Sequence, residues 1–337
     1  MRAALGERFS AAVVRVEHRG RAVFERAYGR MGDRGDAPSC AVDTRFDLAS
    51  LTKVFVATVA LEDAGQLIPS LDGSLLELVP EWRGTAHAPI TLRRILAHDA
   101  GFRSGADYRT LLDRDVEAFA LTEPLAAAPG AQVIYSDLGF IALGAILARG
   151  ARRGLAAHTQ TRLHALGAGS IGYNPRAADW SAIPATETEA WRGAVQGTVH
   201  DEKAHLLGGV AGHAGLFGDA RDVALLGEWY LGARCGRPSP LDVACAQAAV
   251  REQAADPVLR RGLGWALKTR DDNSCGALMS MQTFGHTGFT GTSLWADPVR
   301  DCSVTLLTNA VHYGRTDLRA LRAAVADAAV RALEGAA

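Results

Sequence analysis

Two apolar-rich, β-favouring runs stand near the N-terminus, residues 11–16 (AAVVRV) and 22–28 (AVFERAY). The polar stretch between them contains Gly20, so the pair predicts a β-hairpin. FDLAS then leads into LTKVFVATVALEDAG, where Leu51, Val54, Phe55 and Val59 recur with the 3.6-residue period of a helix. Val56, Ala57 and Ala60 make that helix apolar nearly all round, which predicts burial, and Gly65 is suited to end it. From about residue 70 to 260 the pattern is mainly helical, with loops at Pro80, Pro89, Pro124, Pro129 and Pro184. Strand patterning returns at 262–268 (GLGWALK), 284–289 (FGHTGF), 291–297 (GTSLWAD) and 302–308 (CSVTLLT), the last two joined by a turn at Pro298 to Asp301. A closing helix takes Asp317 as its N-cap and ends near Gly335.

Strands at both ends and helices between them predict an α+β fold. The terminal strands would pair into one antiparallel sheet, with the first and last helices covering it. Residues 1–70 and 262–337 would form this sheet lobe, and 71–261 a mainly helical lobe inserted between them, the whole acting as one catalytic unit. A cleft between the lobes is where a small-molecule site is expected.

Three short motifs carry candidate chemistry. Ser50-Leu51-Thr52-Lys53 begins the first long helix, where residues three apart share a face and a hydroxyl can meet an ammonium. Free N–H groups at a helix start can also stabilise an oxyanion, and a serine beside a base is the logic of covalent acyl transfer. Tyr135-Ser136-Asp137 precedes an apolar helix, and His286-Thr287-Gly288 lies on a strand before GTSLWADP. In this order and context, the chain resembles the serine β-lactamase and penicillin-binding superfamily, specifically its class C-like branch with S-x-x-K, Y-x-N and K-T-G or H-x-G motifs. ITLRRILAHDAGF (90–102), PGAQVIYSDLGFIALGAIL (129–147) and GGVAGHAGLF (208–217) extend the resemblance over nearly the whole chain.

The resemblance implies a three-layer α/β/α, β-lactamase/transpeptidase-like fold and hydrolysis of small esters or peptide-like amides, with weak β-lactamase activity within the same chemistry. Ser50 would be the nucleophile, Lys53 and Tyr135 would share the general-base task, and His286 would complete the catalytic set. Asp137, Thr287, Gly288 and Phe289 would support or bind substrate, with the backbone N–H groups of Ser50 and Phe289 forming the oxyanion hole. No metal or organic cofactor is called for. A D-Ala-D-Ala-type peptidase, and a non-catalytic binder of penicillin or peptidoglycan fragments, are the alternatives.

Two departures from the family pattern bear on substrate choice. Asp137 replaces an asparagine, and a carboxylate can only accept hydrogen bonds, which disfavours acylamino substrates and holds Lys53 charged if the two are close. His286 replaces a lysine. An unperturbed histidine would gain its charge only below about pH 6.5, so carboxylate-bearing substrates are expected to bind better there.

Other patterns point away from other functions. Gly167 to Gly172 fits G-x-G-x-x-G, yet a helix precedes it and Tyr173-Asn174-Pro175 follows, the wrong context for dinucleotide binding. His200, His205 and His213 hint at metal ligands, but the first two are five apart and read better as a loop near the cleft. His98 and Asp99 read as a hydrogen-bonded loop pair. Gly208, Gly209, Gly212 and Gly215 suggest tight packing or flexible lining of the site.

Of the 337 residues, 48% are hydrophobic and 22% charged, ordinary for a globular protein, and 36 basic against 37 acidic residues leave a net charge of −1. No basic stripe recommends nucleic acid or an anionic membrane, so the expected partner is a small-molecule ester, β-lactam or peptide. Five scattered cysteines offer neither a disulfide framework nor a zinc site. No signal peptide is evident, so a cytoplasmic location is expected, or a periplasmic or secreted one if a leader has been removed. The sequence does not specify oligomeric state.

Overall fold

The structure is a computed structural model that describes residues 1–33, 35–255 and 260–335. Its strands are β1 (Ala11–His18), β2 (Arg21–Gly29), β3 (Phe46–Asp47), β4 (Gly172–Tyr173), β5 (Thr188–Glu189), β6 (Gly193–Ala194), β7 (Leu216–Gly218), β8 (Ala266–Leu267), β9 (Phe284–Thr287), β10 (Ser293–Asp297) and β11 (Cys302–Thr308). Its helices are α1 (Thr52–Asp63), α2 (Leu92–Leu96), α3 (Val116–Thr122), α4 (Asp137–Ala151), α5 (Leu155–Ala165), α6 (Glu202–Leu206), α7 (Ala220–Cys235), α8 (Val243–Ala249) and α9 (Arg319–Gly335).

The two ends of the chain share one antiparallel sheet in the order β2-β1-β11-β10-β9-β8. The N-terminal hairpin closes through Arg19 and Gly20, with φ of 51° and 74°. Two consecutive positive φ values match the right-handed twist of the flanking strands. Both faces of β1 are covered, which is why its residues are nearly all buried. Val14 and Val16 pack with Trp295, Val304 and Leu306 against Ala326 and Val330 of α9. Ala11 and Val13 face the opposite layer, in one core with Leu294, Leu226 and Trp229.

That opposite layer differs from expectation. The sheet face is taken by α7, which packs on β1, β10 and β11. Gly227 of α7 comes so close to Leu294 that a Cβ there would lie 3.1 Å from its side chain. Helix α1 instead packs chiefly against α4 and α5, and is tied to α7 by Thr58 Oγ1 and Tyr230 Oη at 2.9 Å. The expected strand over 262–268 shrinks to Ala266–Leu267. Gly264 has φ of 80° and abuts Ala57, with room for a Cβ only 2.4 Å from that side chain, so the chain turns there.

The middle of the chain is less helical than its apolar pattern predicts. Residues 166–219 are largely irregular and contribute β4 and β7 to a small sheet, β3-β7-β4, and the β5-β6 hairpin. The G-x-G-x-x-G run follows α5 and ends in β4, and a turn and a short 3-10 stretch at Ala177–Ala182 follow rather than an α-helix. Among the described residues, no helix is long and apolar enough to cross a membrane.

Of the glycines in 208–215, Gly209, Gly212 and Gly215 serve close packing, while Gly208 has open space around it. A Cβ on Gly212 would lie 2.0 Å from the Phe140 carbonyl oxygen and 3.1 Å from the Gly144 nitrogen, so this loop rests directly on the backbone of α4. Gly212→Ala should therefore cost about 1–3 kcal/mol through forced backbone displacement. A lowered urea midpoint with unchanged m-value is the expected result; an unchanged midpoint would contradict this contact.

Candidate active site

The residue before Ser50, Ala49, has φ of +46°, an uncommon conformation for a side chain with a Cβ. It is fixed by Asp47, a buried carboxylate that accepts the Ala49 N–H at 2.8 Å and the His200 N–H at 2.6 Å. Burial pushes the Asp47 carboxyl up, and these two backbone donors oppose that shift. A short 3-10 turn over Ala49–Leu51 then passes into α1, placing Ser50 one turn before Lys53.

Lys53 is wholly buried. Its ammonium donates to Ser50 Oγ at 2.9 Å and to the His213 carbonyl at 3.1 Å, and pairs with Asp137 Oδ1 at 2.9 Å. Burial alone would strip its proton, but the charge of Asp137 and the Tyr135 phenol hold its pKa above the usual lysine value. The expected closeness of Asp137 and Lys53 is thus observed.

Tyr135 and Asp137 come from the start of α4. Ser136 caps this helix by accepting the Gly139 N–H at 3.0 Å, which leaves Tyr135 just outside and Asp137 in the first turn. The tyrosine ring lies 4.8 Å from the Lys53 ammonium and 5.8 Å from the His286 ring. His98 clamps this segment. Its carbonyl accepts Ile134 N–H at 2.8 Å, its Nδ1 accepts Ser136 N–H at 3.1 Å, and its ring lies 4.8 Å from Tyr135. The His98–Asp99 pair read from the sequence does not form, because Asp99 turns away to Arg94 at 3.0 Å.

His286, Thr287, Gly288 and Phe289 come from β9 and the turn after it. That turn is tied to the Ser50 segment from the other side of the site. Thr290 Oγ1 donates to the Asp47 carbonyl at 2.8 Å, and Thr292 Oγ1 to the Leu48 carbonyl at 3.1 Å. Gly288 admits no side chain, since a Cβ would meet Thr292 Oγ1 at 2.1 Å and the Leu48 oxygen at 2.5 Å. His286 is buried and lies close to Arg261 and Lys53; burial, then these two cations, push its pKa well below the usual histidine value. That shift favours the neutral imidazole at pH 7 and weakens the basis for acid-enhanced carboxylate binding.

The histidines of the middle segment frame the site. His213 Nε2 meets Asp201 Oδ1 at 2.8 Å, His200 Nε2 meets Glu187 at 2.7 Å, and His205 packs edge-on to Trp191. Asp137, Asp201 and His213 form one group with metal-ligand spacing, and Glu187, Glu189 and His200 another. Both already hold cationic side chains: Lys53 and Lys203 in the first, Arg315 and Arg192 against the carboxylates of the second. Sequence reasoning missed Lys203, Asp47 and His98 as members of the site. The run His200-Asp-Glu-Lys-Ala-His205 was the available signal, but its lysine matters only once folding sets it beside Asp137.

Ser50, Tyr135, His286 and Phe289 open onto a cavity of about 660 Å³, with Arg261 and Arg322 on its wall. The arrangement offers a hydroxyl, an ammonium, a phenol and a neutral imidazole at one end of a solvent-accessible pocket. That is the equipment of nucleophilic acyl transfer.

The chain matches the Beta-lactamase family over residues 2–329. A relative from Escherichia coli (strain K12), named "Putative D-alanyl-D-alanine carboxypeptidase", is 30% identical over 307 residues, covering 80% of this chain and 70% of the relative. In fold, the chain is similar to EstCE1, a hydrolase with promiscuous acyltransferase activity (TM-score 0.78, 23% identity, 97% of this chain and 96% of that one). It is equally similar to a class C beta lactamase from Rhodobacter sphaeroides (TM-score 0.78, 18% identity, 99% and 97%). Family, fold and site together show that this chain belongs to the β-lactamase family of serine hydrolases.

Proposed function

We propose that the protein hydrolyses small esters or peptide-like amides through an acyl-enzyme on Ser50. The observation that carries this reading is the contact of Ser50 Oγ, which lines the cavity, with a buried, charged Lys53 behind it. Because Asp137 holds Lys53 protonated, the ammonium is poorly placed to accept the serine proton. Tyr135, whose ring lies 4.8 Å from that ammonium, then takes it. The proton passes to the leaving group, and water attacks the acyl-enzyme by the reverse route. The oxyanion lies between the backbone N–H groups of Ser50 and Phe289, whose spacing rests on the Thr290 and Thr292 ties. His286, neutral, lines the site and carries no fixed charge.

A second reading, D-Ala-D-Ala-type carboxypeptidase, has its own support. Arg261 and Arg322 lie on the cavity wall, suited to a substrate carboxylate. Burial pulls the Arg322 guanidinium down to about 10, which leaves it charged at neutral pH. The Escherichia coli relative's name points the same way.

Treatment with a fluorophosphonate or penicillin, followed by mass spectrometry, should give one adduct on Ser50. Ser50→Ala should lose both the adduct and turnover of esters, and Tyr135→Phe should cut kcat/KM by about 10²-fold or more. A Tyr135→Phe enzyme with near wild-type rates would remove the assigned base. A panel of short esters, D-Ala-D-Ala peptides and a chromogenic cephalosporin separates the two readings.

Gly288→Ala should displace the turn that carries the Phe289 N–H. Loss of one oxyanion donor typically costs about 10²–10³ in kcat. The expected result is a fall of that order in kcat with slower acylation of Ser50; unchanged kcat would refute the assigned hole.

With His286 neutral, KM for carboxylate-bearing and uncharged substrates should share the same pH dependence between about pH 6 and 8. Selective tightening for carboxylates below about pH 6.5 would show a charged His286 after all.

A further inference from the structure

We propose that Lys203 is a positioning residue of this hydrolase: it shares the Asp137 carboxylate with Lys53 and thereby sets the pH at which the site becomes competent to acylate. The inference rests on the proposed roles of Ser50, Lys53 and Tyr135. Asp137 meets two ammonium groups, Lys53 at 2.9 Å through Oδ1 and Lys203 at 3.3 Å through Oδ2. Lys203 in turn lies 3.4 Å from Asp201 Oδ2. Asp201 Oδ1 takes the His213 Nε2 contact and the Ala204 N–H, each at 2.8 Å. The His213 carbonyl then accepts from Lys53, which closes the circuit.

Charges alternate around this ring: Lys53 positive, Asp137 negative, Lys203 positive, Asp201 negative. The Lys203 ammonium stands where Asp137, Asp201 and His213 could otherwise gather a metal ion. Burial opposes its charge, but Asp201 and Asp137 hold its pKa above the usual lysine value.

The consequence for Lys53 follows from electrostatics. Without a second ammonium on its carboxylate, Asp137 would hold the Lys53 proton more tightly, and the site would become competent only at higher pH. A second ammonium on the same carboxylate offsets that field. The groups facing the Lys53–Tyr135 pair are Asp137 from α4, Lys203 from α6, Asp201 from the cap before α6, and His213 from the loop before β7. His98, His286 and Arg261 face it from the remaining sides. Of these, Lys203 is the cation that touches Asp137 besides Lys53 itself.

The test is the rate of Ser50 labelling by a fluorophosphonate as a function of pH, read by mass spectrometry on the intact protein. Lys203→Met should move the acid limb upward by about one to two pH units. Asp137→Asn should move it downward, and the double variant should return close to wild type because both charges are gone. Lys203→Arg should keep the wild-type limb. If Lys203→Met does not fold, Asp137→Asn against the double variant gives the same comparison, since loss of Lys203 must still raise the limb. A limb that stays put when Lys203 is removed, or single variants that shift in the same direction, overturns the proposal. Label found elsewhere than on Ser50 in the wild-type protein overturns instead the reading on which it rests.

Discussion

A lysine ammonium with no exposure to water is the constraint around which this site is organised. Removing an ammonium from water without partners would cost several kcal/mol. Lys53 meets that cost with three partners from three distant parts of the chain: the Ser50 hydroxyl, the Asp137 carboxylate and the His213 carbonyl. Each partner needs its own support. Ser50 needs the Asp47 clamp on Ala49, Asp137 needs the Ser136 cap that starts α4, and His213 needs a loop pressed onto α4 through Gly212. The buried charge therefore couples α1, α4 and the 208–215 loop more tightly than apolar contact alone would.

The sheet enters the site through a single turn. Thr290 and Thr292 fasten the β9–β10 connection to the carbonyls of Asp47 and Leu48, two and one residues before the strained Ala49. Two elements remote in sequence thus share one rigid junction, and the Ser50 and Phe289 N–H groups are carried by its two sides. The hydroxyls act on the backbone rather than on side chains, while the exposed Phe289 ring stacks on His200, whose N–H donates to Asp47.

What the sequence showed, and what it concealed, divides along contact distance. S-x-x-K is legible because a helix start fixes the relation of residues three apart. The terminal strands were legible because their β-favouring residues run together between turn residues. The sheet-covering helix was not: α7 and α1 are both apolar on most sides, and pattern alone does not say which surface each one meets. Asp47, His98 and Lys203 were concealed for a related reason. Asp47 reaches His200, 153 positions away, and His98 reaches Ser136, 38 away, so neither has a local spacing that marks its role. His286 shows the opposite failure. Its position in the motif was plain, but its charge depends on burial beside Arg261 and Lys53, which only the folded chain reveals.

The two departures from the family motifs become parts of one electrostatic arrangement once these contacts are known. A carboxylate in place of an amide at Asp137 adds a negative charge beside Lys53, and Lys203 supplies a positive one on its other oxygen. A lysine at position 286 would add a further cation to a site where Lys53 and Arg261 already suppress protonation of the histidine. A neutral imidazole avoids that repulsion, and it leaves fixed positive charge near the site to Arg261, 5.2 Å over the Tyr135 ring, and to Arg322 on the cavity wall. On the proposed reading, a choice between plain esters and carboxylate-bearing peptides would turn on contact with these two arginines rather than on the third motif. Acylation of Ser50 would then be common to both substrate classes, and the contacts of the leaving group would separate them.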